Sequence, residues 1–274
     1  MTMQLHLQQV PAANGRLWIR HGFKIFRRQP LAFSGLLGLA LLASMLLGAL
    51  PFIGPVLGLM AIPVCSLGFM LATHLALQRK TPSVEVFVAP FKLTRERRRH
   101  QLVLCIGFAL AMLLILLLSD QIDGEVTHAL MTLMKNDANS EAIAAVAADP
   151  RLIWGFAARA TGMTLLSIPY WHAPALVHWG GQSAAQALFS STLALWRNKG
   201  AFALNALLWA GLAFACSGVI SIVFGLLGLL QLAPVASIAC FLVLMSVFYA
   251  SLYFSFVDCF MFGAPQSLLD DQQA

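Results

Sequence analysis

Six residues with charge or strong hydrogen-bonding capacity stand in or beside long apolar runs: His74, Arg159, His172, His178, Asn205 and Asp258. Ionisable groups are costly in hydrocarbon, so such residues are paired, turned toward a polar cavity or used to pass protons or solutes. A second set lies in the stretch DQIDGEVTH, where Asp120, Asp123, Glu125 and His128 carry metal-ligand and acid–base chemistry. An enzyme would need such groups to converge on one reacting centre. No local motif does this, since the chain has no H-E-x-x-H, no P-loop and no G-x-S-x-G. A non-enzymatic protein without cofactor or metal is the leading expectation.

A transport pathway is the alternative. IPYWHAP, from Ile168 to Pro174, sets Pro169 and Pro174 around His172, and a second Ile-Pro pair occurs at Ile62-Pro63. Broken helices line solute sites in some carriers, which makes Pro63, His74, Arg159, Pro169 and His172 the pathway candidates. A plain kink with a hydrogen-bonded histidine explains the same residues structurally. Arg159 lies ten residues beyond Asp149 and is expected to snorkel outward. Asp258 lies 24 residues beyond Pro234, about 36 Å along a helix, which places it at a membrane surface as a clasp for Arg28 or Arg197.

The elements that must position these residues follow from composition. The 274-residue chain is 59% hydrophobic and only 10% charged, with a mean hydropathy of +0.80. That composition belongs to a membrane protein. A helix crosses a hydrocarbon core about 30 Å thick with roughly 20 apolar residues, and six runs qualify, near 31–50, 52–77, 102–118, 160–179, 201–228 and 234–260. The first two are joined by PFIGP, and Pro234 opens the sixth. Period-two alternation is missing, which excludes a closed barrel. The first run has no A-x-A site and is too long for a cleaved signal peptide. Cys65, Cys105, Cys216, Cys240 and Cys259 all fall in apolar runs, as small core residues rather than disulfide or zinc partners.

Charge placement orients the chain. Arg16, Arg20, Lys24, Arg27 and Arg28 precede the first span, Arg79, Lys80, Lys92, Arg95, Arg97, Arg98 and Arg99 follow the second, and Arg197 and Lys199 precede the fifth. Only Lys135, Arg151 and Arg159 fall on the other side, so the basic side and both termini are expected in the cytoplasm. The segment 119–151 carries six carboxylates against Lys135 and Arg151 and is expected as an acidic outer loop. The net charge of +6 is confined to juxtamembrane segments. Its expected partners are anionic headgroups rather than nucleic acid; protein partners or a homo-oligomer stay open.

At 100° per residue, Arg16, Arg20, His21, Lys24, Arg27 and Arg28 share an arc of about 140°, opposite Trp18, Ile19, Phe23, Ile25 and Phe26. Residues 1–29 thus form a basic amphipathic segment, capped by Asn14 and lying in the interface with its aromatic face in the acyl boundary. The motif LWRNKGAF repeats FRRQPLAF at an offset of 169, pairing Arg28 with Arg197, which suggests a second, quieter interfacial helix and a weak internal repeat. Val84, Phe87, Val88 and Phe91 suggest a third interfacial element before RERRRH. Small residues at Ala40, Ser44 and Gly48, and at Ser217, Ser221 and Gly225, permit close helix contacts. The fold class is all-α: one polytopic membrane domain over 1–274, with six transmembrane helices and amphipathic helices on the cytoplasmic side.

Two resemblances bear on this. DQIDGEVTH resembles the opening of the CDP-alcohol phosphotransferase motif, in which aspartates hold metal on a diphosphate, but departs from it at Thr127, His128, Asp137 and Ala145. FRRQPLAF, LPFIGPVLGLMAIPVCSLGFM, APF, APALVHW and ALFSSTLALWRNKGAF, in that order, resemble a family of uncharacterised six-helix inner-membrane proteins of beta-proteobacteria. That family is distantly similar to the membrane region attached to some glycerophosphodiester phosphodiesterases. The likeness implies a six-span fold in the bacterial inner membrane and supplies no catalytic residues.

Overall fold

The structure, a computed structural model, describes residues 6–136 and 139–260. Asp137 of the acidic segment and the chain ends, including the expected cytoplasmic C-terminus, lie outside the described residues. Regular structure is entirely helical among them: α1 (Asn14–Arg28), α2 (Pro30–Gly48), α3 (Gly54–Leu77), α4 (Glu85–Val88), α5 (Arg95–Asp123), α6 (Val126–Lys135), α7 (Ser140–Ala147), α8 (Pro150–Tyr170), α9 (Ala173–Gly180), α10 (Ala184–Arg197), α11 (Lys199–Leu226) and α12 (Ala233–Phe260).

Five of these, α2, α3, α5, α11 and the segment Leu230–Phe260 that includes α12, are long and apolar enough to cross a membrane. The expected fourth span at 160–179 is not one helix. It divides into α8 and α9 at Trp171–His172, because Pro169 and Pro174 each lack the N–H that would bond the carbonyl four residues back. The expected second span, α3, instead runs unbroken through Pro63. The third is longer than 102–118, since the basic run Arg95–Arg99 forms its first turns, with the Thr94 hydroxyl capping the Arg97 N–H. The acidic segment 119–151 is not an open loop either: it holds the end of α5, all of α6 and α7 and the start of α8.

Most buried residues gather at one end of the bundle. In α2 they are Phe33, Leu36, Leu37 and Ala40, in α12 they begin only at Ser246, and in α11 they are only Ala201 and Asn205. That end carries the cationic segments, the start of α5, the end of α9 and the corner between α10 and α11. Next to that end, toward the middle of the bundle, α2, α3, α5 and α12 line an apolar cavity of ≈ 460 Å³, bordered in part by Ala40, Ser44, Gly58 and Tyr249.

Part of the aromatic face of α1, Trp18 and Ile25, is turned onto neighbouring helices, while Ile19, Phe23 and Phe26 are half-buried. Gly15, Trp18, Gly22 and Ile25 are buried against α11 and α12, and Trp18 is 1% exposed. The glycines set this closeness: a Cβ on Gly15 would run into the Ala201 carbonyl oxygen, and one on Gly22 would stand 2.8 Å from that of Val247. Small residues at helix crossings serve this purpose in membranes. Arg16, Arg20 and Arg27 remain exposed on the other face.

The corner after α1 is repeated after α10. Helix α1 ends at Arg28 and α2 begins at Pro30, while α10 ends at Arg197 and α11 begins at Lys199, the same 169-residue offset as the two motifs. The surroundings differ, since α1 rests on α11 and α12 and α10 rests on α8 and α9. In the third element, α4 and the 3₁₀ turn Ala89–Phe91, the buried residues are Val86 and Pro90; Val84 and Val88 of the expected face are exposed.

Candidate functional site

The densest polar cluster lies at the acidic end. Arg159, carried on α8, reaches toward that end and is paired there rather than left in water. It is 13% exposed at its side chain, and its Nη2 lies 2.6 Å from both Asp120 Oδ1 and Asp123 Oδ2. Its Nε donates to the Ser119 hydroxyl at 2.9 Å and its Nη1 to the Thr127 hydroxyl at 2.8 Å. The Thr127 hydroxyl in turn donates to Asp123 Oδ2 at 2.7 Å. Asp120 and Asp123, three residues apart on the last turn of α5, share one face of that helix. Gly155 leaves the space: a Cβ there would stand 2.7 Å from Asp123 Oδ2. Both carboxylates are thereby paired with one guanidinium, an arrangement unlike the open aspartates of the metal–diphosphate motif.

Beside this cluster, Glu125, His128, Asp149 and Arg151 line a polar pocket of ≈ 530 Å³ at the surface. Asp149 caps α8 by accepting the Arg151 N–H. The hydrogen bonds from the Arg151 side chain hold the Asp149 carboxyl below the usual carboxylate range. Glu125 and His128 share the pocket with Asp149 but not with Asp123, so the four groups of DQIDGEVTH do not meet.

The break between α8 and α9 is filled by a side chain. In a continuous helix the His172 N–H would bond the Ile168 carbonyl. Here the Ser191 hydroxyl of α10 stands between them, accepting from His172 N at 3.1 Å and donating to Ile168 O at 3.1 Å. A hydroxyl inserted into the ladder is a recognised cause of a kink. His172 is fully buried among the rings of Phe202, Phe256 and Phe260, with Nε2 3.1 Å from the Ser255 hydroxyl. Its setting is the closed core. Pro63 does border a cavity, one of ≈ 170 Å³ shared with Ser66, Tyr170 and Trp171.

At the basic end, His74 Nδ1 lies 2.9 Å from the Tyr253 hydroxyl and His74 Nε2 lies 2.9 Å from Gln78 Nε2. Gln101, buried on α5, donates to the Pro174 carbonyl at 2.7 Å. Asp258 does not clasp Arg28 or Arg197. Its Oδ2 accepts from Asn14 Nδ2 at 2.9 Å and Trp18 Nε1 at 2.7 Å, so Asn14 begins α1 and spends its side chain on α12 rather than on the expected cap. Asn205 Nδ2 donates to the Gly15 carbonyl at 3.0 Å. Of the anchoring candidates, Arg16, Arg20, Arg27, Arg197 and Lys199 are exposed, while Lys24 and Arg28 are half-buried; the Lys199 ammonium lies 5.5 Å from the centre of the Trp196 ring.

Three residues that sequence reasoning passed over do much of the fixing. Ser191 has no signal beyond lying in a well-capped helix, whose Ser183–Gln186 capping box is legible in the sequence. Asn198 sits inside LWRNKGAF, where it accepts Val10 N–H at 2.8 Å and donates to the Gln8 carbonyl at 3.0 Å. With Gln8 N–H bonded to the Cys259 carbonyl at 2.8 Å, it straps the N-terminal arm across the basic end. Thr127 completes the Arg159 cluster one turn after Asp123.

No family model matches the chain, and no solved structure matches it. A probable inner membrane protein of Burkholderia thailandensis is 30% identical over 262 residues, an alignment that covers 93% of this chain and 94% of that relative. Near end-to-end similarity at that level, on a helical bundle with several membrane-length helices, identifies the family: the chain belongs to the same family of inner-membrane proteins as this Burkholderia relative.

Proposed function

We propose that the protein is a non-enzymatic integral protein of the bacterial inner membrane that organises anionic lipids, and partner proteins seated among them, from its cytoplasmic face. In this reading it crosses the membrane six times, with α8 and α9 together making the fourth crossing. The acidic segment and the Arg159 cluster then face the outer compartment, where Arg159 ties α5 to α8.

The observation that carries this reading is how α1 is held. Its buried stripe, Gly15, Trp18, Gly22 and Ile25, is fixed on α11 and α12 while Arg16, Arg20 and Arg27 point away. A cationic face fixed in advance meets a headgroup layer without further ordering of the backbone, and each exposed cation near an anionic surface contributes about 1 kcal/mol. The test is to extract the full-length protein directly from membranes in polymer-bounded lipid particles and measure the ratio of anionic to zwitterionic lipid around it. Replacing Arg16, Arg20 and Arg27 together by Gln should lower that ratio. An unchanged ratio would contradict the reading.

A second reading, a small transporter or channel subunit, has one observation in its favour: the ≈ 170 Å³ cavity between Pro63, Ser66, Tyr170 and Trp171. It expects a conductance in planar bilayers that Ser66→Trp blocks, and silence of the wild-type protein there removes it.

A further inference from the structure

At the basic end, three chain segments bring nitrogen-rich side chains to one place. Arg97, in the first turn of α5, is half-buried and donates from Nη1 to the His178 carbonyl at 3.0 Å. Among the described residues no carboxylate pairs with it. Glu96, the acid next to it on the chain, is 85% exposed and lies 4.0 Å from His100 instead. The guanidinium rests against the turn after α9, where Gly181 has a φ of +65° and a Cβ would stand 2.9 Å from Arg97 Nη2. That turn needs glycine both for its left-handed backbone and for the space.

Two further polar atoms of the same turn, His178 Nδ1 and Gln182 Oε1, are buried with no hydrogen-bond partner. Lys80, exposed two residues beyond Gln78, the residue that caps α3, belongs to the same end of the bundle. Gln78, exposed at the end of α3, completes the set through its 2.9 Å approach to His74. Trp179 lies between the histidines, with its ring 5.2 Å from that of His178 and 6.1 Å from that of His74. A tryptophan beside cations at a helix end marks the depth of the headgroup layer.

We propose that Arg97, Lys80, Gln78 and the His178–Gln182 turn form a binding site for the phosphate of one anionic phospholipid headgroup. The site is separate from the exposed face of α1. It rests on the cytoplasmic, lipid-organising reading given above and names one defined ligand within it. A guanidinium held at one edge by a backbone carbonyl keeps its remaining N–H groups in a fixed fork, the geometry that suits phosphate oxygens. The surplus of cations over carboxylates here favours a headgroup without its own ammonium group.

The test uses full-length protein in bilayer nanodiscs of phosphatidylcholine containing phosphatidylglycerol, released intact for native mass spectrometry to count retained lipids. One phosphatidylglycerol should be retained by the wild type, and Arg97→Gln should weaken that retention about tenfold or more, the loss of one charge-assisted hydrogen bond. Arg98→Gln, an exposed neighbour, should leave retention unchanged. If Arg97→Gln does not fold, Lys80→Gln at an exposed position carries the test and should weaken retention measurably.

Replacing Arg16, Arg20 and Arg27 by Gln should thin the general anionic shell and spare the single retained lipid, so failure of the site and failure of the broader reading are told apart. Full retention in folded Arg97→Gln or, where that variant does not fold, in Lys80→Gln would overturn the proposal. So would equal retention of phosphatidylcholine, or displacement of the lipid by millimolar inorganic phosphate, which would make free phosphate the ligand.

Discussion

Arg159 on α8 and Asp123 on α5, 36 residues apart in sequence, meet at 2.6 Å with Asp123 fully buried. Removing one partner of a buried ion pair leaves an uncompensated charge, at a cost of about 3–5 kcal/mol. Arg159→Met is therefore expected to destabilise the protein by about that amount in a detergent unfolding titration. The double variant Arg159→Met with Asp123→Leu should recover much of the loss, because two apolar groups replace the pair. A double variant as unstable as the single one would mean that the cluster acts through something other than charge pairing.

Gly155 sits under the same carboxylate. Gly155→Ala would place a Cβ 2.5 Å from Asp123 Cβ, and overpacking of this kind costs about 1–3 kcal/mol. Gly35→Ala, where no atom comes within 4 Å of the added Cβ, is the control and should be neutral or mildly stabilising. Equal effects at the two positions in the same unfolding titration would argue against the close approach of α5 and α8.

Ser191→Ala should loosen the α8–α9 break. It strands the His172 N–H and the Ile168 carbonyl, and an unsatisfied buried group costs about 1–3 kcal/mol. Amide exchange at His172 should accelerate in the variant, while Ser191→Thr, which keeps the hydroxyl, should stay near the wild-type rate. Protection at His172 unaffected by loss of the hydroxyl would show that Ser191 is not the bridge.

Asn198 joins the N-terminal arm to the corner between α10 and α11. Asn198→Leu should expose the Val10 amide to exchange, since its acceptor is the Asn198 side-chain oxygen, while amides in the middle of α5 keep their protection. An arm as protected as in the wild type would show that the Gln8–Cys259 bond suffices.

Membrane class, most helix positions and the segregation of charge were legible because they depend on long apolar runs and on counts of Lys and Arg, which survive any detail of side-chain geometry. The two corners, after α1 and after α10, were legible through FRRQPLAF and LWRNKGAF. What α1 rests on was not, because an aromatic face made for acyl chains and one made for a neighbouring helix read alike. The glycines at 15 and 22 were the available sign, as close helix contact requires them. The depth of Arg159 is legible in the sequence, but its pairing with Asp120 and Asp123 is not: Gly124 marks where a helix could end, and no local pattern shows that the face before it meets α8. Ser191 and Asn198 escaped since a single hydroxyl or amide acquires its role only from residues far along the chain.

Which end of the bundle faces the cytoplasm decides the proposed function, and reporter fusions to alkaline phosphatase, which is active only outside the inner membrane, measure this directly. A fusion at Asn136, in the acidic segment, should be active, and one at Thr94, just before the basic start of α5, should be inactive. Activity at Thr94 with silence at Asn136 would contradict it, because the cationic face and its lipid site would then lie on the wrong side of the membrane.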